Sequence, residues 1–267
     1  MHDAVAEYRR HRDAPDQWAL GRFVVPLARW TEFEEAALAV SRGERWPVSV
    51  LASPPDAGAV AALLARGSGT GLAIEAVEWR TPSPAEVLEA AGLVALVSEV
   101  FVEAGAPGAA LEPFAQAVRS AGASAKMRTG GLSADAFPEP AWVLAFLRAC
   151  WRAGVRFKAT AGLHHAVRGR YALTYEPGSD TGLMYGFLNV AVAAALVWRG
   201  LDDATVLAAL DERSAGAFAF SEQGLDWRGV HLSTADLNAV RTNFLAGLGS
   251  CSFREPLTEL GLLPEPV

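Results

Sequence analysis

The sequence predicts an α/β protein, a single-domain (β/α)8 (TIM) barrel with an N-terminal extension, and three observations carry that expectation. The chain has 267 residues, short valine- and alanine-rich runs alternate with segments of helical period, and brief Gly, Pro, Asp or Ser joints separate them. Eight strand units over this length fit a closed barrel better than an open doubly wound sheet, which uses fewer repeats. The expected domain is 1–267, with residues 1–17 as an extension placed to plug the bottom of the barrel.

In chain order, the strands are read from "RFVVPLA", "PVSVLAS", "GLAIEAVEW", "LVALVSEVFV", "SAKMRTG", "VRFKATAG", "AFAFSE" and "GSCSF". Each is short, rich in β-branched, aromatic or small apolar residues, and bounded by turn formers. The helices between them are "TEFEEAALAVSRG", "DAGAVAALLARG", "SPAEVLEAAG", "ALEPFAQAVRSAG", "EPAWVLAFLRACWRAG", an apolar segment around Asn189 and "STADLNAVRTNFLAG". Ser or Thr opens several and glycine closes most, as helix caps require. The seventh unit is irregular, because "GLDWRGVHL" either extends it or forms an excursion before the helix near Ser233. A long connection, "LHHAVRGRYALTYEPGSDTG", follows strand six at the end of a barrel where functional loops lie.

With 51% hydrophobic and 20% charged residues, the chain has enough apolar material for a large core and too little charge for disorder. Its net charge of −7 argues against general attraction to nucleic acid or to a membrane surface and favours a small-molecule partner. The N-terminus lacks the apolar run of a signal peptide, and "LMYGFLNVAVAAALVW" is too short for a bilayer span, so a buried helix and a cytoplasmic location are expected. Cys150 and Cys251 have no metal spacing and read as thiols of a reducing compartment. No dinucleotide fingerprint, phosphate-binding Walker loop or zinc motif occurs, so no cofactor and no metal are expected. Oligomeric state has no signature in the sequence.

Strand alternation sorts the polar residues by face. On strand five Ser124, Lys126 and Arg128 share a face, and on strand six Arg156, Lys158 and Thr160 do so. Glu75 on strand three and Glu99 on strand four interrupt apolar runs, and Ser250 and Ser252 share a face on strand eight. Of 23 basic residues only Lys126 and Lys158 are lysine. Arginine serves for surface charge, whereas only lysine readily supplies a neutral amine nucleophile. An ε-amine attacks a carbonyl when neutral, a state that neighbouring cations or a dry pocket favour. Lys158 is therefore the candidate nucleophile, Lys126 its tuning or proton-transfer partner, and Glu75 or Glu99 the acid/base.

"AKMRTGG" as strand five and "RFKATAG" as strand six resemble the class I, Schiff-base aldolase group of β/α barrels. That resemblance implies an aldolase- or lyase-like enzyme with its iminium lysine at Lys158 and a second lysine, Lys126, nearby. The strings "KMRTGG", "FKATAGLHH" and "GSCSFREP" are also similar to a barrel group with no assigned activity, which implies no substrate. A small anionic carbonyl compound or a phosphorylated substrate would meet Arg128, Thr160, His164, His165, Arg168, Ser250, Ser252 and Arg254. One of the two histidines is expected in the pocket, and Arg168 and Arg170 either close the long loop over an anion or stay solvated. Two alternatives keep the barrel. The lysines are purely electrostatic in a phosphoribosyl transferase or isomerase, or the barrel binds a metabolite without turnover.

Overall fold

The computed structural model describes residues 1–67, 71–80, 84–105, 110–250 and 254–261. The elements are α1 (His2–Arg12), β1 (Phe23–Pro26), α2 (Trp30–Val40), β2 (Trp46–Ala52), α3 (Ala57–Arg66), β3 (Leu72–Arg80), α4 (Pro84–Val87), α5 (Ala91–Val94) and β4 (Glu99–Glu103). They continue with α6 (Leu111–Ser120), β5 (Ser124–Arg128), α7 (Pro140–Ala153), β6 (Phe157–Thr160), β7 (Gly169–Ala172), β8 (Thr181–Met184), α8 (Phe187–Trp198) and α9 (Asp203–Asp211). The chain then forms β9 (Phe218–Ser221), β10 (Gly224–Trp227), β11 (Val230–Ser233), α10 (Thr234–Asn243), β12 (Leu245–Gly249) and α11 (Glu255–Glu259).

The fold is α/β, with a parallel sheet of seven strands in the order β1-β2-β3-β4-β5-β6-β12. This corrects the expectation of eight barrel strands. "AFAFSE" becomes β9 of a separate antiparallel sheet, β11-β10-β9, and β12 pairs directly with β6. The cause is local turn chemistry. Arg228 and Gly229 both have positive φ, 48° and 81°, the signature of the two-residue turn that folds one strand back on the next. Gly224, at φ 145°, lacks the side chain that would collide with the Leu232 carbonyl oxygen. Three further boundaries shift. In "LVALVSEVFV" only the part from Glu99 on is strand, because its start lies in α5, and of "GSCSF" only Gly249 lies in β12, with residues 251–253 outside those described. The helix expected over "STADLNAVRTNFLAG" ends at Asn243, and Leu245, Ala246 and Gly247 open β12 instead.

Contacts divide the chain into two compact units, Met1–Gly105 with Ser120–Ser124, and Ala106–Arg119 with Ala125–Val267. In the first, alternation on β2 and β3 turns Val48, Val50, Val77 and Trp79 into a buried apolar face. The N-terminal helix seats Tyr8 5.3 Å from Phe23 and 5.1 Å from Trp46, the first residues of β1 and β2. Its hydroxyl donates to the Gly21 carbonyl at 2.8 Å, so the helix rests on the amino-terminal ends of those strands.

In the second unit, Phe157 on β6 is fully buried between Phe146 of α7, at 5.7 Å, and Phe244, at 4.9 Å. The apolar segment around Asn189 is the buried helix α8. Asn189 itself is completely buried and has all its valences used. Its Oδ1 accepts from the Arg168 and Gly186 amides, and its Nδ2 donates to the Ala209 and Glu212 carbonyls. No helix among the described residues is long and apolar enough to cross a membrane.

Candidate active site on β5, β6 and β12

The second unit's three parallel strands set the site by register. Lys126 on β5 lies directly opposite Lys158 on β6, and Lys158 lies opposite Gly247 on β12. Two residues on, Arg128, Thr160 and Gly249 are likewise in line. Residues paired across strands share a face, so Lys126, Arg128, Lys158 and Thr160 project together while Ala125, Met127, Phe157 and Ala159 form the buried apolar side. Lys126 is 3% exposed, Lys158 is half-buried and Arg128 is exposed. Three cationic side chains on one face favour an anionic ligand.

The carboxyl ends of β5 and β6 are bound to each other through backbone. Thr129, fully buried, donates its amide to the Thr160 carbonyl at 2.8 Å and its hydroxyl to the Ala161 carbonyl at 2.6 Å. The Ala161 amide donates to the Gly249 carbonyl at 3.2 Å. Ala161 and Gly162 both turn left-handed, at φ 70° and 71°. A side chain on Gly130 or Gly162 would strike the Phe137 ring, at 2.4 and 2.7 Å from its Cε1. Thr129, Gly130, Gly162 and Phe137 thus hold the carboxyl ends of β5 and β6 together, a role that strand alternation does not disclose. Their signal was present in the repeated "TGG" and "TAG" at two consecutive strand ends.

The long connection after β6 is a hairpin, β7 with β8, and the helix α11 is fastened to its root. The Glu259 carboxylate lies 2.6 Å from His165 Nδ1 and accepts the Ala166 amide at 2.7 Å. The His165 ring stacks on Tyr171, with centroids 3.4 Å apart. His164 Nδ1 stands 3.8 Å from Glu255, which also accepts from the Tyr175 hydroxyl at 3.0 Å. Burial is the main cause that lowers the His164 pKa. Nearby His165 adds to it, and Glu255 pulls the other way. Both histidine rings thus lie against carboxylates of α11.

No family model, curated protein or solved structure matches this chain. Its chemistry is read from these side chains alone. Among the described residues, no three His, Cys, Asp or Glu side chains converge to hold a metal ion.

The remaining candidates fall elsewhere. Arg168 is buried, its guanidinium 4.2 Å over the Tyr185 ring and its Nε 3.2 Å from Asp211, so it packs inside the unit instead of closing over an anion. Arg170 is exposed on β7. Ser250 and Arg254 are exposed beyond β12, and Ser252 lies outside the described residues. Cys150 is a buried free thiol whose pKa is pushed up by desolvation, which leaves it unreactive.

Glu75 and Glu99 belong to the first unit, where Arg22 joins them. Its Nε is 2.9 Å from Glu75 and its Nη1 2.5 Å from Glu99, while Arg45 reaches Glu75 at 2.7 Å. Desolvation pushes the Glu75 pKa up, but hydrogen bonds and charge from Arg22 and Arg45 outweigh it and hold it below 4.5. A carboxylate so held stays ionised and tethers the amino-terminal part of its sheet. In parallel α/β sheets ligands bind outside the carboxyl ends of the strands. The register is irregular at Glu75. Val48 pairs with Ile74 but Ser49 with Ala76, so Glu75 is the extra residue of a bulge and simple alternation fails there. The buried carboxylate of β3 is instead Glu78, 2% exposed, which accepts from the Ser49 hydroxyl at 3.1 Å.

Proposed function

We propose that the second unit carries a lysine-dependent carbonyl enzyme, aldolase- or lyase-like, acting on a small anionic carbonyl compound. Lys158 Nζ attacks the carbonyl carbon, and the carbonyl oxygen leaves as water to give an iminium. Electrons from a neighbouring C–C or C–H bond then enter the iminium to form an enamine, with release of a carbonyl fragment or a proton. A proton or a new carbonyl carbon bonds to the enamine carbon and restores the iminium, and water hydrolyses it to the product carbonyl and the free amine. Lys126, opposite Lys158, carries protons or tunes its neighbour, and Arg128 attracts the substrate's carboxylate or phosphate.

The observation that supports this reading is the register of Lys126 with Lys158. The chain's two lysines, among 23 basic residues, occupy directly opposed positions on one face of adjacent strands. The strand beyond them presents glycine at both matching positions. Incubation with a panel of carbonyl acids and aldehydes, followed by borohydride reduction and intact mass measurement, is expected to give a stable adduct on Lys158. Lys158→Arg is expected to abolish it while keeping the charge. Turnover that survives Lys158→Arg would replace covalent chemistry with electrostatic binding of an anion.

A further inference from the structure

Glycine in a strand has one of three physical causes: a left-handed backbone, a contact too close for a side chain, or space kept for something outside the chain. The strand glycines of this protein divide cleanly on that test. A side-chain carbon at Gly169, Gly182 or Gly224 would meet another atom at 2.6, 2.8 or 2.0 Å. At Gly249 it would press on Thr160 Cγ2 at 3.0 Å and touch Lys158 Cε at 3.6 Å. Gly247 differs from all four. Its φ is not positive, and a carbon placed there meets nothing within 4 Å.

Neither backbone nor packing therefore requires glycine at 247, although glycine weakens a strand relative to alanine. The register shift between Leu245 and Gly247 does not require it either, since a bulge of this kind needs glycine only where φ turns positive. The open position lies directly opposite Lys158. We infer that Gly247 forms the floor of the space in which the substrate's carbonyl end meets Lys158, and that residue 247 sets how bulky that end can be. This rests on the lysine-carbonyl reading above and adds to it a substrate class, unbranched oxo-acids or aldehydes that lie flat against β12.

The test is borohydride trapping with a graded series of probes, glyoxylate, pyruvate, 2-oxobutyrate and 2-oxoisovalerate, on wild type, Gly247→Ala, Gly247→Val and a Leu248→Ala control. Leu248 pairs with Ala159 and so faces the other side of the sheet. Gly247→Val is expected to cut adduct yield with the larger probes about tenfold or more while sparing glyoxylate, the scale at which a crowded pocket rejects extra methylenes. Gly247→Ala should fall between, Leu248→Ala should match wild type, and melting temperatures should stay within about 2 °C. Equal trapping of every probe by Gly247→Val, or an equal loss with every probe, overturns the inference and leaves the lysine chemistry standing. Wild type that traps no probe removes both. If Gly247→Val fails to fold, Gly247→Ala decides by the same graded loss, and unfolding of that variant shows that the space belongs to the protein's own packing.

Discussion

At the scale of the residue, Ala161 carries the clearest sign of a site under constraint. L-residues other than glycine lose roughly 1–2 kcal/mol in the left-handed region, yet Ala161 sits at φ 70° immediately after Thr160. It is held there from both sides, by the Thr129 hydroxyl on its carbonyl and by its own amide on Gly249. Strain retained in this way is a feature of functional loops. Ala161→Gly is therefore expected to stabilise the protein by about 1 kcal/mol in urea denaturation, since glycine removes the steric cost and the flanking hydrogen bonds persist. A loss of stability instead would mean that the alanine methyl contributes packing that outweighs the backbone cost.

The β9–β11 sheet shows, at the scale of the element, how one buried carboxylate organises a connection. Glu212, 7% exposed, accepts from the Arg213 and Ser214 amides, the Trp227 indole and the Arg228 guanidinium. The Arg228 hydrogen bond is the largest influence on it; burial opposes, and the net effect lowers its pKa to about 2. Glu212→Gln should cost about 2–3 kcal/mol of thermal or denaturant stability, the scale of a hydrogen bond to a charged partner. The loss should be seen at neutral pH and vanish near pH 2, where the carboxylate protonates in the native protein as well. This element was only half legible in the sequence. Helix periods and caps made α2, α3, α6, α7, α8 and the start of α10 readable, and short apolar runs made β1 to β6 readable, whereas β12 was hidden because "FLAG" continues the helical pattern of α10. "WRGV" hid its turn, because arginine is not a residue associated with positive φ, and its guanidinium finds its purpose only in Glu212, which is distant in sequence. The site followed the same pattern. The shared face of Lys126, Arg128, Lys158 and Thr160 was legible from alternation, whereas the bulge at Glu75 and the α11 contacts to His164 and His165 had no local signal.

For the whole molecule, the displaced titrations fix the pH range of greatest stability. Burial first, helped by His165 and opposed by Glu255, lowers the His164 pKa below 6.5. The unfolded chain therefore takes up that proton more readily than the native one, and stability falls as pH drops below 6.5. Glu212, Glu75, Asp202 and Asp236 are all held below their ordinary carboxylate values, so their contribution is complete above those values and is lost as the solution acidifies through the native ones. At the alkaline end, burial is the largest cause that raises Tyr8, Tyr171 and Tyr185 above 10, Tyr185 to about 12. The unfolded chain then loses those protons first, and stability declines as pH climbs beyond 10. The buried Cys150 thiol, raised above its ordinary 9.0 by desolvation, adds a loss that begins about one pH unit earlier, so urea midpoints against pH should show a plateau between about 6.5 and 9 with an acid side that descends in two steps. Replacing His164 with Asn should erase the upper acid step and leave the lower one, because an amide does not titrate. Survival of both steps in that variant would assign the upper one to another group.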